Sequence, residues 1–223
     1  MERTTSIKKA KEIMGKNFIG LDELLAIQGK MGIYIPEDLK TNCPFIPFSE
    51  NILEKSKNDY ILILGVPYHK DKTPLTIVKM REHFGYNPDI SEPCFYNQDW
   101  YFREAFAEKN KIKPGWYLLS KSIRAETRGI PPEELISSIP ELHLFPSAIL
   151  CAYTFFCYYL FTGGHILWRN DYLWCSDFDN NSDRIYVGRY IDSEKKNKNG
   201  FSIHRQLSIK ACYGLAPLRV FED

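Results

Sequence analysis

Apolar positions recur at helical spacing in the first part of the chain and at strand spacing towards its end. Residues 4–16 place Ile7, Ala10 and Met14 on one stripe, and residues 20–30 place Leu21, Leu24, Leu25 and Gln28 on another, which predicts two amphipathic helices. Asp22 and Glu23 suit the first turn of the second helix, where the backbone dipole favours negative charge. IPEDLKTNCPFIPF, with three prolines, predicts an irregular connector. Ser49 then reads as the cap of a helix in ENILEKSK, and the apolar run 60–66 as a buried strand. Thr73 followed by Pro74 predicts a helix start, with LTIVKMREHF as its body and Gly85 as its stop. The breaker-rich stretch 85–94 predicts a soft boundary between a helix-rich region with a short strand, 1–90, and a second domain, 91–223.

In the second half, DWYFREAFAEKN offers a helical face of Trp100, Phe102, Ala105 and Phe106. KPGWYLLSKS predicts a turn into a short strand, and Pro131, Pro132, Glu133 and Glu134 open another helix. The almost uncharged run 146–161 falls short of the ~20 apolar residues of a bilayer span and is closed by Gly163 and Gly164, so it predicts a buried helix. Four strand-like runs follow, at 166–168, 172–176, 184–190 and 213–221. The most informative stretch is 168–190, WRNDYLWCSDFDNNSDRIYVGRY, in which two aromatic-rich runs flank a polar hexad. That pattern reads as strand, exposed turn, strand.

Composition adds little to this picture and removes several alternatives. The 223 residues are 44% hydrophobic and 14% aromatic, ample for a core, and Lys+Arg 29 against Asp+Glu 28 leaves a net charge of +1, so no bulk field favours nucleic acid or an anionic membrane. The first sixteen residues carry charges without an apolar run behind them, from which a cytoplasmic, reducing setting is expected. Cys43, Cys94, Cys151, Cys157, Cys175 and Cys212 form no CxxC pair and read mostly as reduced core thiols. No cofactor is expected.

Three pieces in order carry a resemblance. They are PGWYLLSK at 114–121 behind Trp100 and Tyr101, the YLWCSD run at 172–177 with the strand after its turn, and NGFS at 199–202 with the ending GLAPLRVF at 214–221. Together they resemble bacterial domains of the C-type-lectin-like fold, the group of paralogous surface domains, formylglycine-generating-enzyme relatives and retroelement variable proteins. The resemblance covers about residues 97–223. It implies an α+β chain: a twisted, mainly antiparallel sheet with flanking helices, preceded by the small helix-rich region. It also implies binding through long loops over a rigid sheet, most of all of a protein partner, at 168–205. The Cys-x4-Cys pair of the formylglycine-generating enzymes is missing, so their oxidase activity is not implied.

Candidate chemistry gathers in the same region. Arg169, Asp171, Asp177, Asp179, Asn181, Arg184, Arg189 and His204 are the expected ligand contacts, able to make charge-assisted hydrogen bonds around an aromatic centre. Asp177, Asp179, Asn181 and Asp183 place oxygens at alternate positions as a calcium loop does. Ser182 and Gly188 stand where such a loop needs glycine and glutamate, which favours a turn whose Asp and Asn side chains bond their own backbone. Trp168-Arg169-Asn170-Asp171 is similar to the Trp-Asn-Asp of sugar-binding lectins but lacks its companion element. Cys175, His204 and Asp177 supply the residue types of a thiol hydrolase or oxidase, the rival reading. A third reading, a nucleic-acid accessory protein, would use Lys195, Lys196 and Lys198 with Arg189, His204, Arg205 and Lys210 beside Tyr190 and Phe201, or the smaller cluster Lys121, Arg124 and Arg128.

Overall fold

The computed structural model describes residues 4–138, 143–190, 200–205 and 209–220. The chain is a mixed α+β protein with open sheets. Its helices are α1 (Ile7–Met14), α2 (Leu21–Met31), α3 (Glu37–Thr41), α4 (Glu50–Ser56), α5 (Ile77–Phe84), α6 (Ala105–Glu108), α7 (Pro132–Ser138) and α8 (Ala148–Thr162). Its strands are β1 (Phe18–Ile19), β2 (Ile33–Tyr34), β3 (Tyr60–Gly65), β4 (Tyr68–His69), β5 (Gly115–Ser120), β6 (His143–Leu144), β7 (Tyr172–Phe178), β8 (Arg184–Tyr190), β9 (Gly200–Arg205), β10 (Tyr213–Gly214) and β11 (Leu218–Arg219).

Helix starts follow local capping chemistry. Ser6, Ser49 and Ser147 accept from the backbone N–H three residues on, at the heads of α1, α4 and α8. At α2 the cap is Gly20, and Glu23 reaches back to accept its N–H at 2.9 Å while pairing with Lys11 at 2.6 Å. The expected start at Thr73-Pro74 is displaced. Pro74 bridges to Tyr68 and the Thr73 carbonyl accepts the His69 N–H, so Thr76 caps α5 instead, accepting from Lys79 N. The helix expected around Trp100 shrinks to α6, because Trp100 turns away to donate its indole N–H to the Ile203 carbonyl at 3.1 Å.

A five-stranded sheet runs β1-β3-β5-β11-β6, parallel at β1/β3 and antiparallel elsewhere. A four-stranded sheet runs β10-β7-β8-β9, parallel only at β10/β7, and β2 and β4 form a separate antiparallel pair. The first sheet draws strands from both sides of the boundary expected at 85–94. The residues before and after that stretch therefore share one sheet and one core, because β3 pairs with β5 along six residues, Tyr60 to Gly65. The N-terminal strands complete the sheet that the later strands use.

Helix α8 is the expected buried helix. Its residues from Ala148 to Tyr158 are all buried, and it packs against α2, α5, β1, β7 and β8. No helix among the described residues is long and apolar enough to cross a membrane. All six cysteines are free thiols, four of them buried. Of the four expected strand runs, 184–190 is β8 and 172–176 extends to Phe178. Residues 213–221 divide instead into β10 and β11, which lie in different sheets, and 166–168 is not a strand. There Trp168 and Asn170 adopt positive φ (49° and 58°), and the Arg189 backbone donates to the Trp168 carbonyl and accepts from the Asn170 N–H across an isolated bridge at Arg169. Strand β9 had no signal of its own beyond Asn199-Gly200-Phe201-Ser202. Its place is set by the backbone of residues 94–96, which bonds Phe201 on both sides; a side chain at Gly200 would collide with Tyr96 and Phe95 backbone atoms.

Candidate functional site

Strand alternation sorts the residues of the four-stranded sheet onto two faces. Trp174 pairs with Tyr186, and Tyr186 with His204, so these three share a face; Leu173, Cys175, Val187 and Ile203 take the other and join the α8 core. Cys175 therefore points away from His204. Its thiol is fully buried, donates to the Leu173 carbonyl and is pushed up by burial, the opposite of what a nucleophile needs. The expected Cys175, His204 and Asp177 constellation is not assembled.

His204 belongs to an aromatic cluster instead. It stacks on Tyr186 at 5.3 Å and meets Tyr172 edge-on, while the Gln98 amide donates to its Nδ1 at 3.2 Å. Trp174, Tyr186 and Tyr213 pack beneath it. Burial lowers the His204 pKa from 6.5 to about 4. A histidine depressed in the folded state contributes stability above its unfolded pKa that is lost as pH falls through the folded one. The protein is thus expected to lose stability between about pH 6.5 and pH 4, and His204→Gln to flatten that part of a melting-temperature profile. An unchanged slope in a folded His204→Gln protein would contradict this.

The remaining expected contacts are mostly committed inside the fold. Asp171 takes a two-pronged pair with Arg128, both contacts at 2.8 Å. Asp177 is buried and accepts from Asn110 Nδ2 and from the Ala148 N–H at the head of α8, both at 2.6 Å; burial raises its pKa against these two bonds. Asp179 accepts the N–H groups of Asn181 and Asp183 at 2.8 Å each and a bond from Arg205 at 3.3 Å. This is the self-bonded turn. Asp177 and Asp179 are spent on separate partners, and no group of three or more His, Cys, Asp or Glu poised for a metal occurs among the described residues. Arg189 is buried against Glu92 at 2.7 Å. Arg169 and Asn181 are exposed, and Asp183 is half-buried. Lys195, Lys196 and Lys198 lie outside the described residues, Lys210 is exposed, and Arg205 lies over Trp100 and pairs with Asp179.

Of the expected contacts, Arg184 lines an open cleft of about 460 Å³. It is built where the two sheets approach the head of α8. Tyr117 of β5, Leu218 of β11 and Leu144 of β6 form one wall, Phe178 of β7 and Arg184 of β8 the other, and Phe145 with Ser147 closes the end. The Arg184 guanidinium is stacked over Phe178 at 4.4 Å and Phe145 at 5.0 Å, and donates to the Cys175 carbonyl at 2.9 Å. Its Nε is buried without a hydrogen-bond partner, Glu133 standing 3.9 Å away. The walls are open, with Leu144 49% and Phe178 47% exposed. Among the described residues, no His, Cys, Asp or Glu lines the cleft.

No family model, curated protein or solved structure matches the chain. The cleft therefore carries the functional argument by itself.

Sequence reasoning placed Arg184 in the site and missed Tyr117, Leu144, Phe145, Phe178 and Leu218. Four of these come from β5, β6 and β11 or beside them, and no spacing along the chain connects those strands. Phe178 did carry a signal. After Trp174 the even positions of β7, Ser176 and Phe178, are exposed while Cys175 and Asp177 are buried, so Phe178 is an aromatic on the solvent side of a strand.

Proposed function

We propose that the protein is a binding module without catalytic activity that holds an extended segment of a protein partner in the cleft between Leu144 and Phe178. The observation that carries this reading is the joining of exposed apolar walls to a strand with one paired neighbour. Among the described residues β6 is bonded to β11 alone, so the other side of its backbone offers hydrogen-bonding groups to an added strand. Beside it, Leu144, Phe145 and Phe178 accept apolar side chains, and Arg184, a guanidinium held flat between two rings, suits an acidic one.

The C-type-lectin-like fold belongs to the same proposal. The strands marked by the two ends of the resemblance, β5 and β11, lie side by side and antiparallel, with α7, α8 and the β7-β8-β9 meander between them in sequence. Binding in this reading shifts from the loops at 168–205 to the mouth between the sheets, with Arg184 common to both.

Photo-crosslinking residues at positions 144 and 178 test the proposal in the protein's native lysate, with the 87% exposed Phe45 as a remote control position. The expected result is one partner peptide captured from both cleft positions and not from position 45, with capture reduced about tenfold or more by Phe178→Glu. Equal yields from the cleft and the control, or undiminished capture by a folded Phe178→Glu protein, would overturn it.

A further inference from the structure

The cleft holds a charge that nothing in its lining balances. Among the described residues lining it, Arg184 is the sole charged side chain, and the groups around it are apolar or bear neutral hydroxyls. With 8% of its side chain exposed, the positive charge is held largely out of water, and the rings of Phe178 and Phe145 fix the plane of the guanidinium. A desolvated charge needs a counter-charge to offset its lost hydration. Burial accordingly pulls the Arg184 pKa down, with Glu133 and Cys175 acting the other way.

A guanidinium presents its donors along edges, and one edge of Arg184 is unspent. Nη1 donates to the Cys175 carbonyl at 2.9 Å. Nε is buried without a partner, and Nη2, which is not shut off from solvent, makes no hydrogen bond among the described residues. Nε and Nη2 stand side by side, and their parallel N–H bonds match the two oxygens of one carboxylate. The carboxylate standing by is Glu133, in the first turn of α7, whose Oε1 lies 3.9 Å from Nε and so outside hydrogen-bond reach. Glu133 is 61% exposed, whereas Leu135 anchors α7 in the cluster of Trp174, Tyr186 and Tyr213. The helix is thus fixed, and only the Glu133 side chain has to swing to uncover the edge or occupy it.

We propose that the Nε/Nη2 edge of Arg184 determines the specificity of the cleft by taking the carboxylate of an Asp or Glu side chain on the bound segment, and that Glu133 is the internal carboxylate which this group displaces. The inference rests on the reading of the cleft as a site for an extended protein segment. Such a segment places apolar side chains against Leu144, Phe145 and Phe178 and its acidic one on Arg184, so the counter-charge arrives with the partner. A phosphorylated side chain matches less well, because it brings close to two negative charges and no second cation lines the cleft among the described residues.

The test titrates the full chain, at constant ionic strength, with two small probes of equal shape: isocaproate, a leucine-like chain ending in a carboxylate, and its neutral amide. Binding is followed through the Arg184 Nε–H and Leu144 methyl resonances. The expected result is saturable shifts with the acid and none with the amide, an affinity about threefold or more tighter in Glu133→Gln, and one about tenfold or more weaker in Arg184→Lys, read at Leu144. Lysine keeps the charge without the two-pronged edge, so a loss in the folded variant assigns binding to the edge. Where Arg184→Lys does not fold, the acid-against-amide comparison and the exposed Glu133→Gln decide. Shifts that the amide reproduces, shifts that do not saturate, or an affinity that Glu133→Gln leaves unchanged or weakens would overturn the site. A peptide captured from positions 144 and 178 that carries no Asp or Glu would overturn this occupant and leave peptide binding in the cleft standing. Acid binding with no peptide captured from either position would overturn the protein partner, and the acidic side chain with it.

Discussion

Phe156→Ala is expected to destabilise the protein by about 3–5 kcal/mol, a loss that urea denaturation of both proteins would measure. The ring is fully buried at the point where separate parts of the chain meet. It stacks on Phe84 of α5 at 4.0 Å and on Phe95 at 4.9 Å, and touches Phe155 and Phe201 of β9 at 5.3 and 6.0 Å. Those partners come from both sides of the 85–94 stretch, so the ring couples the N-terminal helices to the four-stranded sheet. Truncation removes the transfer energy of the ring and leaves a cavity whose walls, the four rings of Phe84, Phe95, Phe155 and Phe201, can close only partly. Phe156→Leu keeps most of the volume and should cost markedly less. Equal losses for the two variants, or a loss below about 1 kcal/mol for the alanine, would contradict the packing argument.

The second large effect is an asymmetry within one ion pair. Glu92→Ala is expected to cost roughly 2–4 kcal/mol, and Arg189→Met clearly less. Arg189 lies on the core-facing side of β8 with 3% of its side chain exposed, and its Nη2 donates to Glu92 at 2.7 Å while Nε and Nη1 are buried without partners. Removing the carboxylate strands a charge in the core, whereas replacing the arginine by an apolar chain of similar length removes the charge with its desolvation cost. The Glu92 side chain, 31% exposed, retains some contact with water, which holds the cost of its loss below that of a fully buried pair. Denaturation midpoints of the two single variants decide the matter. A greater loss from Arg189→Met than from Glu92→Ala would show that the pair is held for packing of the arginine stem instead.

Both effects bear on what the sequence could disclose. By residue type Arg189 is an expected ligand contact, able to make charge-assisted hydrogen bonds. It proved to be an interior charge, since pairing with β9 turns it to the same face as Val187 and Ile203 and its partner Glu92 lies 97 residues away in the chain. His204, an expected ligand contact and thiol partner, is a packed aromatic with a lowered pKa, because the register places it on Tyr186. Asp177, an expected ligand contact or metal oxygen, holds the first N–H of α8. In each case the residue type was right for chemistry and the neighbour that uses it was distant in sequence. The aromatic residues of the region behave as their type predicts: Trp174 and Tyr186 are packed together in a small buried cluster.

The sequence by itself determined the elements whose determinants lie within a few residues of one another. Helix α8 is bounded by Ser147 and Gly163 and apolar between them, β8 spans the aromatic run 184–190, and the hexad turn is closed by Asp179 bonding its own backbone. The tertiary structure alone decided the order β1-β3-β5-β11-β6, the division of the last strand run between two sheets, and the cleft around Arg184. The physical reason is the two-residue period of a strand. Alternation states which residues share a face, but only the pairing register states which face meets the core, and a slip of one residue exchanges them. In β6 that choice sends Leu144 to the cleft and His143 to Arg124, and it is made by Leu218 and Arg219, 74 and 76 residues further along the chain.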